Sequence, residues 1–134
     1  MRKIAFVIVV VFVSFIAAGT LSAYDEADLQ RLKATKSCAD CDLSGALLMH
    51  WVLPGADLSG ANLRGANLTG AWLPGANLAG ANLSSAIMIS ASLANANLFR
   101  ANLSGSNLLF TDLTGATWTD GSRCERRSSG WCKK

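Results

Sequence analysis

The sequence predicts an all-β solenoid, on three observations. Residues 41 to 120 divide into sixteen consecutive five-residue units without a gap. The centre of the unit is Leu in fourteen copies, with Met88 and Trp118 in the other two. Two places before the centre stands Ala in twelve copies, with Cys41, Trp51, Ser106 and Thr111 as exceptions. A strand alternates its faces with period 2 and a helix repeats at 3.6, so a strict period of five fits neither. Ala and Leu, two apart, share one side of a short extended segment, and a turn absorbs the odd residue. One such piece cannot bury its Leu alone, so neighbours must stack around a continuous core.

The corners are legible in the glycines that close most units, as in Ala56-Asp57-Leu58-Ser59-Gly60 and Ala61-Asn62-Leu63-Arg64-Gly65. Pro54-Gly55 and Pro74-Gly75 are the pair that a type II turn favours, and they hold the chain's two prolines. The units that carry them lie twenty residues apart, which predicts four units per coil, a square cross-section and about four coils.

This A-(D/N)-L-x-x repeat resembles the pentapeptide-repeat family over the whole of 41–120. The resemblance implies a right-handed quadrilateral β-helix. It also implies that the central Leu and the residue two before it face inward, while the other three positions face solvent. The position before Leu is Asn in seven units and Asp in three, so Asn-on-Asn stacking between coils is expected there.

Residues 1–23 read as a secretory signal peptide. Arg2 and Lys3 start it, Ile4 to Ala18 is apolar apart from Ser14, and small residues lead to cleavage near Ala23. The apolar run is short for a span of about 20 residues. The expected location is therefore secreted or periplasmic, with an uncleaved anchor as the alternative.

Residues 24–40 read as a short N-terminal capping helix over 24–37 followed by a Cys-x-x-Cys. Asp25, Glu26 and Asp28 at its start and Arg31, Lys33 and Lys36 toward its end suit the helix dipole. Leu29 and Leu32 would dock on the open first coil, which a solenoid must cover. A helix before Cys-x-x-Cys also resembles secreted members of the family.

Four cysteines in an exported chain read as two disulfides. Coils spaced at about 4.8 Å keep Cys38 and Cys41 far from Cys124 and Cys132, while a disulfide needs Cα atoms within about 7 Å. The pairing Cys38–Cys41 and Cys124–Cys132 follows. A redox-active Cys-x-x-Cys lacks its βαβ context. A zinc site of Cys38, Cys41 and His50 lacks a fourth ligand nearby.

Departures from the consensus mark the candidate binding surface. With four units per coil, Leu47, Met49, Ile87, Ile89, Leu109 and Phe110 fall outward on one face, and Val52 and Trp72 on the adjoining face. Such an apolar strip on a polar rod marks a contact site, a surface covered by the chain's own tail, or tolerated drift. A protein partner or a second copy of the chain are the occupants it allows. Trp51, at a tight inward position, is expected to distort the first coil or plug its end, and Trp118 to close the bottom of the core. His50 falls at a corner with no acid or nucleophile near it and is expected to be solvated. Residues 121–134 form a Cys-containing tail of net charge +4, which is either solvated, folded back with Trp131 as a lid, or in contact with anionic lipid or polymer.

Chemistry is disfavoured. A packed column of Leu and Ala leaves no pocket, and no triad, metal or phosphate-loop signature occurs. No enzyme activity and no cofactor are expected. The family's DNA-mimic, gyrase-binding activity needs dense negative charge. The repeat body carries Asp42, Asp57, Asp112 and Asp120 against Arg64 and Arg100, a net of −2. The chain after Ala23 is about +1, because the overall +3 loses Arg2 and Lys3. Direct nucleic-acid binding is disfavoured because the basic residues do not line a face. The reading that remains is a rigid, exported structural or protein-interaction module. The alternative is envelope association through the N-terminal segment or the basic tail.

Overall fold

The computed structural model of the chain describes residues 23–134. The expected signal peptide lies outside these residues, apart from Ala23. Parallel bridges join residues twenty apart, from Ser37↔Asp57 through Asn97↔Thr117. Four five-residue units therefore complete one turn of a β-helix. No unit is long enough to form a conventional strand, because each straight piece is interrupted by a corner.

The corners follow from local chemistry. The Ala N–H of each unit donates to the Leu carbonyl of the unit before, as from Ala66 to Leu63 at 3.0 Å. The second corner residue holds a positive φ, near 65° at Gly55, Gly65 and Gly75. Glycine meets this without steric cost. Between coils, Leu63 N–H donates to Asn82 O at 2.8 Å and Gly65 N–H to Ser84 O at 2.9 Å, and the pattern repeats down the rod.

The core is the predicted pair of columns. Leu43, Leu63 and Leu83 are fully buried on one side, with Ala61 and Ala81 beside them. Each buried Leu contributes about 1.5–3 kcal/mol. The polar exceptions are bonded: Thr111 Oγ1 donates to Met88 O at 2.7 Å, and Ser106 Oγ to Leu103 O at 2.7 Å. Trp51 does not distort the first coil. Leu53 N–H donates to Trp72 O and Trp72 N–H to Trp51 O, both at 2.8 Å. No coil precedes Trp51, so its half-buried ring packs against the open end of the core, as Tyr24 and Leu29 also do.

Helix α1, Glu26–Thr35, covers that end. Asp25 is its N-cap, accepting from Ala27 N–H at 2.8 Å and Asp28 N–H at 3.3 Å. Lys36 ends it in the left-handed region. Leu32 is fully buried and Leu29 partly so. Asp28 Oδ2 accepts from Asp42 N–H at 2.8 Å, and Asp25 N–H donates to Asp42 O at 2.9 Å. Arg31 does not act at the helix terminus; it donates to Ala39 O at 3.1 Å and lies 2.8 Å from Cys41 Sγ.

The tail folds back on the last coil, one of the three readings the sequence allows, but closes it with backbone rather than with Trp131 as the lid. It turns back along the last coil in the antiparallel sense, with bridges Thr117↔Arg123 and Asp112↔Ser129. Leu113 N–H donates to Ser128 O at 2.8 Å and Gly115 N–H to Cys124 O at 3.0 Å. The physical reason is the last coil's unpaired backbone, which needs partners that a Trp ring cannot supply. Cys124 and Ser128 are buried there, while Trp131 stays exposed. Trp118 is half-buried against the last of the core.

Candidate functional site

Most outward residues that depart from the polar consensus lie in the second and third units of each coil, with Phe99 in a fourth unit as a further case. On the first of these faces, the bridged column before the central residue reads Leu47, Asn67, Ile87, Asn107. The column after it reads Met49, Thr69, Ile89, Leu109. Asn67 and Thr69 therefore interrupt the apolar strip on this face. They satisfy each other: Asn67 Oδ1 accepts from Thr69 N–H at 3.0 Å and from Thr69 Oγ1 at 2.7 Å.

The strip becomes two patches. The upper one comprises Leu47 and Met49 on one face and Val52 and Trp72 on the next, all exposed. Val52 bridges directly to Trp72, so those side chains stand one coil apart on one face. The lower patch comprises Ile87, Ile89, Leu109 and Phe110. Ile87 is only just exposed and Ile89 is half-buried, so Leu109 and Phe110 carry most of its area. The tail reaches the lower patch without covering it. Gly130 N–H donates to Thr111 O at 2.9 Å, and Leu109, Phe110 and Trp131 border a groove of about 520 Å³.

The polar faces are built from one device that the sequence reading missed. The expected Asn stacking between coils is present but secondary. Asn62 Nδ2 donates to Asp42 Oδ1 at 3.1 Å, and Asn97 Nδ2 to Asn77 Oδ1 at 3.5 Å. The recurrent bond is local: the Asx Oδ1 accepts the N–H two residues on, as from Ser59 to Asp57 and Ser84 to Asn82, both at 3.1 Å. This Asx turn stabilises each corner, and the signal for it is Asn or Asp immediately before Leu. The Ser44 and Ser59 hydroxyls hold the Asp42 and Asp57 carboxyls below the usual carboxylate range.

The four cysteines are joined as Cys38–Cys41 and Cys124–Cys132, with Cα separations of 5.3 and 5.0 Å. Among the described residues the one metal-like grouping is Asp28, Cys38 and Cys41, not His50. With the two sulfurs bonded to each other, it offers no thiolate. The His50 ring leans over the bare corner of Gly70 one coil below. A second groove, about 420 Å³, lies between the Asn95–Gly115 corner and Arg123, Cys124 and Arg126 of the tail. No nucleophile–base pair borders either groove. Among the described residues no helix is long and apolar enough to cross a membrane.

The family profile described as pentapeptide repeats matches residues 37–78, 61–105 and 89–117. No curated protein matches the chain. Among solved structures, the chain is similar to HetL, a pentapeptide repeat protein involved in heterocyst differentiation regulation from the cyanobacterium Nostoc sp. strain PCC 7120. The two share 42% identity with a TM-score of 0.63, over 65% of this chain and 40% of HetL. The chain is also similar to a pentapeptide repeat protein of the Arabidopsis thaliana thylakoid lumen, at 33% identity and a TM-score of 0.47, over 63% of this chain and 62% of that one. It thus spans about two fifths of HetL and under two thirds of the Arabidopsis protein.

Proposed function

The chain belongs to the pentapeptide-repeat family, whose fold is a right-handed quadrilateral β-helix, and from that premise we propose that it is an exported, rigid, non-catalytic module that presents its upper apolar patch to a protein partner. The observation that carries this reading is the side-by-side exposure of Leu47, Val52 and Trp72 on segments whose Leu48, Leu53 and Leu73 N–H groups are all bonded to the next coil. A surface held rigid in this way loses little conformational entropy on binding, and Trp is enriched among residues that dominate interface energies. Other outward positions of the first two coils, such as Asp42, Asp57, Ser59, Asn62, Arg64 and Asn67, are polar.

Export is supported by the signal-like residues 1–23 and by the two disulfides, which suit an oxidising compartment. Intact mass by cell fraction tests it. The expected species lacks residues 1–23 and is lighter than its reduced form by four hydrogens, two per disulfide. A full-length cytosolic species with free thiols would reject it.

A photo-crosslinking residue at position 72 tests the patch. We expect a discrete protein adduct that Val52→Asp abolishes while the melting temperature stays unchanged. An adduct no stronger than that from position 84, on a polar face, would reject the partner patch. A DNA-mimic role is disfavoured by the net charge of −2 on the repeat body. Envelope association through the N-terminal segment is the second reading. An anchor would need detergent for release, whereas contact through the basic tail would yield to salt.

A further inference from the structure

The C-terminal end of the rod has a surface chemistry of its own. Phe110 and Trp131 are among the most exposed large apolar residues described, at 68% and 60%, and Leu109 is 53% exposed. Gly130 packs against the backbone of Leu108 and Phe110, which sets Trp131 beside Phe110 at the mouth of one groove. Phe110 occupies a corner with φ 59°, a conformation that is sterically costly for a bulky residue. Many other corners use Gly, Ser or Asn. On the far side, Phe99 is also exposed and packs against Gly121 of the tail.

Positive charge accompanies these rings. Lys133 Nζ lies 5.7 Å from the Trp131 ring centroid, and the Arg100 guanidinium 5.0 Å from that of Phe99. Residues 121–134 carry five basic side chains against Glu125. Lys134 pairs with Asp120, and among the described residues no carboxylate stands within ion-pair distance of Arg123, Arg126, Arg127 or Lys133. The opposite end is acidic in balance, with Asp25, Glu26, Asp28, Asp40 and Asp42 against Arg31, Lys33 and Lys36.

We propose that this C-terminal pole docks on an anionic lipid bilayer, with Leu109, Phe110 and Trp131 entering the interfacial layer and Arg126, Arg127 and Lys133 facing lipid phosphates. Aromatic side chains with one apolar and one polar side concentrate at that depth. Basic residues near an anionic leaflet add attraction that falls off within a Debye length. A cation stacked on an exposed ring delivers both at one point. The pole lies in the last coil and tail, apart from the partner patch on the first two coils, and the proposal does not rest on that patch.

The test uses the full chain with vesicles of phosphatidylcholine, with or without phosphatidylglycerol, carrying brominated acyl chains that quench Trp on contact. The difference between wild type and Trp131→Phe isolates Trp131 emission, whatever residues 1–22 do. We expect that emission to be quenched by about twofold or more with phosphatidylglycerol and little without it. High salt, or Arg127→Glu with Lys133→Glu, should abolish the quenching. Phe110→Gly, which suits its corner and preserves the fold, should weaken it. Vesicle binding without quenching of Trp131 would overturn the proposal, since it would place the contact elsewhere. Quenching that is indifferent to the charge reversals, or no vesicle binding at all, would also overturn it. Retention of the position-72 crosslink in such a case would leave the partner patch standing.

Discussion

The Asn62 side-chain amide donates to Asp42 Oδ1 across one coil, and the same oxygen accepts from both the backbone N–H and the hydroxyl of Ser44. Asp57 repeats the arrangement with Ser59 and Asn77. Each carboxylate binds the straight segment to its own corner and to the coil below.

This makes the rod sensitive to acid. Both carboxyls are held below their ordinary pKa, first by the serine hydroxyls and then by the serine N–H groups. A lowered folded pKa stabilises the native state above the unfolded value of about 3.9 and ceases to do so as pH falls through the folded pKa. Melting temperature should therefore be flat from neutral pH to about 4 and decline below it. Asp42→Asn with Asp57→Asn keeps an acceptor oxygen at each corner and should flatten part of that decline. Melting curves from pH 7 to 2.5 check this, and an unchanged acid limb in the double variant would assign the sensitivity to other groups.

Two glycines with similar dihedrals should respond unequally to alanine. Gly65 has φ 66° and open space where a Cβ would stand, so Gly65→Ala costs only the left-handed penalty of about 1–2 kcal/mol. Gly130 has φ 72°, and a Cβ there would lie 3.2 Å from the Leu108 carbonyl oxygen. A carbonyl held by the corner bond from Thr111 N–H yields poorly, so Gly130→Ala should be the more damaging of the two. Denaturant melts of both variants decide it; equal losses would show that the tail lifts away freely.

The tail's disulfide should matter locally more than globally. Cys124 and Cys132 are eight residues apart. Chain-entropy reasoning for so short a loop gives a stabilisation of about 2–3 kcal/mol. Cys124→Ser with Cys132→Ser should loosen the antiparallel cap while the Leu and Ala columns stay packed. Hydrogen exchange at Leu113 and Gly115, whose N–H groups donate to tail carbonyls, should accelerate well before exchange at Leu63. Simultaneous loss of protection at all three would mean that the cap is needed for the whole rod.

The rod was legible because its interior is one-dimensional. Ala61 and Leu63 recur every five residues, and any register that keeps them inward sets every other residue of the unit. The cysteine pairing was legible for a similar reason, since the rod's length separates the two ends. The binding surface was legible only in part. Leu47, Val52, Trp72 and Phe110 were identified as outward, but the strip they form is broken at Asn67 and Thr69, and Ile89 is half-buried. Asn67 and Thr69 stand twenty residues on from Leu47 and Met49, so the coil period places the break, whereas the burial of Ile89 shows only in the folded chain. The Asn and Asp positions were legible only in part: the inter-coil contact expected there is present, as from Asn97 to Asn77, but the Asx turn, which demands the same residue at the same place, is the recurrent bond.

Period and composition by themselves dictated a stacked solenoid with a Leu and Ala core, since only stacking can bury one Leu from every five residues. The folded chain alone decided how the C-terminal end is closed. Nothing periodic operates in residues 121–134, and their path depends on which backbone groups the last coil leaves unpaired. That need turned the tail back in the antiparallel sense, buried Cys124 and Ser128, and left Trp131 exposed beside Phe110.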